Sequence, residues 1–399
     1  MSRVFELIEK EQQRQDKTIE LIASENFVSD NVRRALGSCL TNKYSEGYPT
    51  NRYSGRTGRY YGGCSVVDEL EEYCCDLWRQ VFRTDYHVNV QAHSGSSANL
   101  AAYMAVLKPG DTILSMRLSD GGHLTHGSPV NITGKLFHIE SYDLDANGCI
   151  DYDDIERKVK AFKPNLVLAG ASAYSRIIDF ERIRAILDAA HAADESYSPY
   201  FMVDMAHIAG LVAGLEHPSP FGLADIVTTT THKTLRGARG GLIFCRKELA
   251  GKIDGGIFPC CQGGALQHAV AGKAVTAEEA LTPEFRAYIS QVVRNSKAMC
   301  AEFIRLGYDI VTGGTDNHLF VIDLSKTHPH LTGKIVQDAL DRHDITANKN
   351  CVPFEKRSPV ETSGVRIGTA AMTTKGYKED DFIAVARRID EIIRALPAE

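Results

Sequence analysis

Residues 226–241 read Ile226-Val227-Thr228-Thr229-Thr230-Thr231-His232-Lys233-Thr234-Leu235-Arg236-Gly237-Ala238-Arg239-Gly240-Gly241. A run of β-branched residues favours a strand. It ends in His-Lys, and the glycines that follow mark a tight connection. A lysine at a strand end beside a polar pocket can lose its proton and attack an aldehyde. Taken alone, a lysine is more often a solvated surface charge.

Working outward, the preceding strand-like run delivers Val203-Asp204-Met205-Ala206-His207. Ligands of α/β folds gather at such C-terminal strand ends. An aspartate there could simply cap the next helix. Followed by Lys233, it matches what pyridoxal 5′-phosphate (PLP) needs, because an acid that keeps the pyridine nitrogen protonated makes the ring an electron sink. Ser94-Gly95-Ser96 stands at a helix start, where N–H groups and hydroxyls suit a phosphate, though plain N-capping uses the same residues. Asp120-Gly121-Gly122-His123-Leu124-Thr125-His126-Gly127 offers a loop imidazole that can stack on an aromatic cofactor. Gly364-Val365-Arg366-Ile367-Gly368-Thr369 puts an arginine on a short strand, suited to bidentate carboxylate binding. Each has a bland structural alternative; their joint occurrence in this order points to PLP.

The surrounding pattern alternates strand and helix. Strands are expected at 112–116, 166–169, 201–203, 226–231 and 241–245, with a short extended piece at 89–91. Helices are expected at 151–162 and 180–193. A further helix, capped by Ser65, carries apolar residues at Val66, Leu70, Cys74, Leu77, Trp78 and Val81. This predicts a mostly parallel sheet covered by helices. Beyond about residue 275, two long helical stretches precede short strands at 318–323 and 365–367 and a final helix at 379–396. The expected organisation is an N-terminal helical arm (1–20), a PLP-binding large domain (21–275) and a smaller α+β domain (276–399).

Composition excludes several classes. The 399 residues are 43% hydrophobic and 24% charged, with a net charge of −6. No basic run offers a footprint for nucleic acid or an anionic membrane. No apolar stretch is long enough to span a bilayer, and the charged start does not resemble a secretion signal. Ten cysteines without a C-x-x-C pair suit a reducing cytoplasm. Fourteen histidines form no metal-ligand pattern.

Further stretches extend the pattern: Leu21-Ile22-Ala23-Ser24-Glu25-Asn26, Leu40-Thr41-Asn42-Lys43-Tyr44-Ser45-Glu46-Gly47-Tyr48-Pro49 and Arg59-Tyr60-Tyr61-Gly62-Gly63-Cys64. His93-Ser94-Gly95-Ser96 and the stretches 121–131, 203–210 and 228–241 continue it. Gly313-Gly314-Thr315-Asp316-Asn317-His318 and Asn348-Lys349-Asn350 complete it. Taken together, these stretches resemble serine hydroxymethyltransferase over nearly the whole length of the chain. The resemblance implies a fold-type I PLP enzyme of the aspartate-aminotransferase-like class, with tetrahydrofolate as co-substrate. It implies an obligate homodimer with shared sites, converting L-serine and tetrahydrofolate to glycine and 5,10-methylenetetrahydrofolate.

Residue by residue, it implies that Lys233 holds PLP as a Schiff base, Asp204 pairs with the ring nitrogen, His123 stacks on the ring and His207 lies near the ring hydroxyl. Ser94, Gly95 and Ser96 would hold the phosphate, with Gly263 and Gly264 reaching it from the partner subunit. Ser172 and Tyr44 join the residues that touch the cofactor, and Thr230 the catalytic groups. Ser24, His232 and Arg366 would bind the amino acid. Tyr44, Glu46 and Tyr61 would come from the partner, Glu46 as the favoured proton-transfer group. Glu46, Tyr60, Leu118, Leu124 and Asn350 would face the folate.

The chain departs from the family pattern in places. The link from Pro49 to Arg59 is longer by seven residues, the spacing at which Arg52-Tyr53-Ser54-Gly55 is echoed by Arg59-Tyr60-Tyr61-Gly62. Either arginine could hold the usual place, and Arg59 is the better match. Ala92, Ala238, Ala265 and Ala370 replace prolines, which predicts looser loops. Cys260-Cys261 replaces glycines, and Asp120 a histidine. These leave open a relative with changed substrates, such as a threonine aldolase or transaldolase or an α-methylserine hydroxymethyltransferase. A non-catalytic scaffold is the rival from another class.

Overall fold

The computed structural model describes residues 2–49 and 58–397. The Arg52-Tyr53 half of the echo lies outside the described residues.

The strand-like runs assemble into one seven-stranded sheet. Its members are β1 (His87–Asn89), β2 (Thr112–Met116), β3 (His138–Tyr142), β4 (Leu166–Ala169), β5 (Tyr200–Asp204), β6 (Ile226–Thr230) and β7 (Gly241–Cys245). The spatial order is β1-β7-β6-β5-β4-β2-β3. The five strands from β3 to β6 run parallel, while β7 and β1 join antiparallel at one side. The fold is therefore α/β with a mostly parallel sheet, as the alternation predicts. Strands β4, β6 and β7 are buried throughout, which explains the near-continuous apolar run of β4 and β7; β6 is β-branched instead, Ile-Val followed by three threonines. Edge strand β3, His-Ile-Glu-Ser-Tyr, is half exposed and offered no such run to read.

Helices cover the sheet. Asp151 and Asp179 cap the helices Tyr152–Phe162 and Phe180–Ala193 by accepting from the N–H groups of Asp154 and Arg182. The helix Ser65–Phe82 begins differently from expectation. Cys64, not Ser65, is its N-cap residue, and Val66 faces solvent while Val67 is buried. The buried face runs through Val67, Glu71, Cys74, Trp78 and Val81. Its second member is a carboxylate, so an apolar count displaced the face by one residue there.

The C-terminal part builds its own antiparallel sheet from β8 (Asp309–Ile310), β9 (Leu319–Asp323), β10 (Asn348–Asn350) and β11 (Gly364–Gly368), in the order β10-β11-β9-β8. Phe303, Phe320, Ile367 and Phe382 centre its core. The helix Gln267–Ala280 runs unbroken through residue 275, and Pro283–Arg305 follows it. Near the N-terminus, Ile19–Glu20 pairs parallel with Ile345–Thr346, and Leu21 packs into this second core. The helix Arg3–Lys17 buries no residue and exposes Val4, Phe5, Leu7 and Ile8. Among the described residues no helix is long and apolar enough to cross a membrane.

Candidate active site

Parallel strands end together, and the residues just past those ends enclose a cavity of about 550 Å³. After β6 come His232 and Lys233, and β5 ends on Asp204. The turn after β4 supplies Ser172, and the segment after β2 supplies Leu118, His123 and Leu124. Ser24, Thr230 and His207 also line the cavity. Arg366 and Asn350 reach it from the small sheet, and 94–96 from a helix start.

Lys233 is held by its backbone rather than its amine. Its carbonyl accepts from Asn26 Nδ2 at 2.9 Å, and the Thr234 hydroxyl donates to the His207 carbonyl at 3.0 Å. Burial pulls the Lys233 amine down to about 8; Asp204 opposes this, and Arg366 and Arg239 add to it. An amine in that range is a usable nucleophile near neutrality.

Asp204 is the converse case. Burial pushes its pKa up, but the His126 hydrogen bond, the neighbouring histidines and Asn99 outweigh burial and hold it below the usual carboxylate range. Its Oδ2 accepts from Asn99 Nδ2 at 2.8 Å and lies 3.0 Å from His126 Nε2, while Oδ1 accepts from the Ala206 N–H at 3.0 Å. Gly170, with φ +138°, lets the neighbouring strand end pass, since a Cβ there would stand 2.2 Å from the Asp204 carbonyl oxygen.

His123 Nδ1 accepts from the Thr125 N–H at 3.2 Å. Burial, opposed by Asp204, lowers His123 to about 4, so the ring is neutral. His232 is lowered to about 3 by burial, then by Arg239 and Lys233. The Arg366 Nε donates to Asn348 Oδ1 at 3.0 Å and Nη1 to the Ser172 carbonyl at 2.7 Å. Burial lowers Arg366 to about 10, and its Nη2 has no hydrogen-bond partner among the described residues.

The helix Gly95–Val106 opens on the cavity. Ser94 caps it by accepting from the Ser97 N–H at 3.2 Å. Capping and anion binding are therefore not alternatives here: the Gly95 and Ser96 N–H groups have no acceptor among the described residues. A Cβ at Gly95 would stand 2.6 Å from Thr230 Cγ2, so a side chain there would have to displace Thr230.

Six expected site residues do not line this cavity: Tyr44, Glu46, Tyr60, Tyr61, Gly263 and Gly264. They form a second group. Tyr44 Oη donates to Glu46 Oε1 at 3.2 Å, and the Tyr44 and Tyr61 rings meet edge-on at 5.2 Å, as do Tyr60 and Tyr61 at 5.6 Å. Gly263 and Gly264 pack against Glu46 and Tyr44. All three tyrosines are exposed. Arg59 anchors the segment from within: its side chain is buried, donates to the Ser45 and Gly47 carbonyls at 3.0 and 2.7 Å, and pairs with Asp68 and Glu71.

Other residues of the site were not singled out from sequence. Asn99 and His126 fix Asp204. Lys273, on the helix Gln267–Ala280, is fully buried and donates to the Val90, Ala92 and Gly241 carbonyls at 2.7, 2.9 and 3.0 Å, tying the approach to Ser94 onto β7. At Ala238 the N–H that a proline would lack donates to Thr276 Oγ1 at 3.2 Å.

A family model described as serine hydroxymethyltransferase matches residues 2–389. Members of this family depend on PLP and use tetrahydrofolate as co-substrate. With that match spanning nearly all of its length, the chain belongs to the serine hydroxymethyltransferase family.

Proposed function

We propose that this protein transfers the hydroxymethyl group of L-serine to tetrahydrofolate, reversibly, leaving glycine and 5,10-methylenetetrahydrofolate. The single observation that carries this reading is the convergence of Lys233, Asp204, His123 and Arg366 on one cavity.

The donor set fits PLP. Lys233 would hold the aldehyde carbon, and Asp204, kept ionised by His126 and Asn99, would face the ring nitrogen. His123 would cover the ring. The free N–H groups of Gly95 and Ser96, with the Ser94 and Ser96 hydroxyls, would hold the phosphate. Bound there, PLP supplies an electron-withdrawing ring that stabilises charge on the substrate Cα after the bond to Cβ breaks.

The chain's own residues supply the rest. Arg366, braced by Asn348 and the Ser172 carbonyl, orients the substrate carboxylate through the nitrogen left free. Ser24 and His232 complete the amino-acid pocket, and Leu118, Leu124 and Asn350 border the side where folate would enter. Glu46, Tyr44, Tyr61, Gly263 and Gly264 form one group, exposed at the tyrosines and half-buried at Glu46, outside their own cavity. This supports their presentation to a second copy, in a homodimer with shared sites. Glu46 would then move the proton at the partner's site. Ten free thiols support a cytoplasmic setting.

Purified protein supplied with serine should form glycine only when tetrahydrofolate is present. Equal glycine formation without it would replace the folate-dependent reading by an aldolase one.

A further inference from the structure

His207 stands in the turn after β5 and lines the cavity. Its ring lies against that of His318, the residue just before β9 of the small sheet, with centroids 5.4 Å apart and planes 27° apart. Nδ1 of His207 is 3.2 Å from Nε2 of His318. Both residues are buried, at 4% and 0% exposure. A hydrogen bond between two ring nitrogens holds one proton, and two arrangements satisfy it.

The far side of His318 decides between them. Its Nδ1 is buried and has no hydrogen-bond partner among the described residues. If His207 donated, neutral His318 would have to carry its proton on Nδ1, leaving a buried N–H without an acceptor. Native folds rarely tolerate that. If His318 donates from Nε2, its Nδ1 is a bare lone pair, the milder defect. A doubly protonated His318 is opposed by burial and then by the facing cations of Arg366 and Lys233, with His217 adding to them. His207 is likewise held neutral by burial, then by Lys233, Arg366, His318 and His123.

We propose that His318 is a positioning residue that fixes His207 as the Nε2–H tautomer, so that His207 presents an N–H donor to the cavity. An oxygen acceptor bearing negative charge is the complementary ligand group. Resting on the PLP reading above, that group is the ring oxygen of the cofactor. The small sheet thereby bears on the site twice: through Arg366 on β11 toward the substrate, and through His318, just before the paired strand β9, by way of His207 toward the cofactor.

The test uses the full-length protein, with and without PLP, ¹⁵N-labelled at histidine. Long-range ¹⁵N–¹H correlations read the tautomer of His207, identified by its loss in His207→Asn. The expected result is a proton on Nε2 in both forms. His318→Gln keeps a side-chain donor and should hold PLP within about threefold of the parent, whereas His318→Leu should weaken it about tenfold. A proton on His207 Nδ1 in the parent would overturn the proposal, as would equal weakening by the Gln and Leu substitutions. Should His318→Leu fail to fold, the parent tautomer decides alone. A parent that binds no PLP would refute the functional reading, and the cofactor-free tautomer would still be read separately.

Discussion

His126 reaches Asp204 across 3.0 Å, and the direction of that bond is set by His126's other nitrogen. Nδ1 accepts from the backbone N–H of His123 at 3.2 Å, so in the neutral ring the proton sits on Nε2 and is donated to the carboxylate. The segment bearing His123 thus also holds the charge of Asp204. Hydrogen bonds to ionised groups contribute about 1.5–3 kcal/mol. His126→Leu should therefore weaken PLP binding about tenfold or more, while His126→Gln, which retains a donor, should lose far less. Fluorescence titration of cofactor-free protein with PLP measures both. Equal affinities for the Leu and Gln variants would show that the bond to Asp204 does not matter.

Lys273 yields a prediction about stability and pH. Burial lowers its amine to about 8, against an ordinary 10.5, with Cys74, Glu71 and Cys75 opposing. Between those values the unfolded chain binds the extra proton, so stability rises with pH across the window. Below about 8 both states carry the proton and the burial cost is constant. The full rise from this one group is on the order of 3 kcal/mol. Protein loaded with PLP should therefore melt at higher temperature at about pH 9 than at about pH 7.5, relative to Lys273→Met. That variant loses this slope, and it is also less stable, by about 3 kcal/mol, because three buried carbonyls lose their donor. Parallel pH profiles for the two proteins would contradict the assignment.

On the proposed reading, substitution of Arg366 should separate substrate binding from cofactor binding. Its guanidinium is braced at Nε and Nη1, and an ammonium cannot reproduce both braces and a forked contact. Arg366→Lys should raise the KM for serine by about tenfold to a hundredfold, the loss of about 1.5–3 kcal/mol of charged hydrogen bonding. PLP affinity should stay within about threefold if, as proposed, the guanidinium serves the amino acid rather than the ring. Steady-state kinetics beside a PLP titration distinguishes the two. An equal loss in both would place Arg366 on the cofactor instead.

Much of this was readable along the chain because the signals were local. The helix Phe180–Ala193 and the strands Thr112–Met116 and Gly241–Cys245 lie where apolar periodicity places them. Asp204 and Lys233 were found because strand ends announce themselves by a change from apolar to polar. His126, Asn99, Lys273 and His318 carry no such mark. Asn99 lies mid-helix and Lys273 on a helix that reads as ordinary, and their meaning arises only when Asp204, Val90 and Gly241 come to them from distant segments. Val66 was misplaced for a related reason: the position that completes the buried face is Glu71, whose charge is met by Arg59 and Gln91.

The group around Glu46 gives the sharpest test of subunit sharing. Glu46 and Tyr44 pack against their own Gly263 and Gly264, outside the cavity that holds Lys233. If the site is completed by a second copy, Lys233→Ala and Glu46→Gln damage different halves of it. Each variant alone should be nearly inactive. Refolded or co-expressed together, they should form hybrid dimers in which one site combines the intact Lys233 of one chain with the intact Glu46 of the other. Random pairing makes half of the dimers hybrids, each with one good site of two, so about one quarter of the parent activity should return. Were Glu46 to serve the cavity of its own chain, every site in every hybrid would carry one of the two lesions, and mixing would restore nothing.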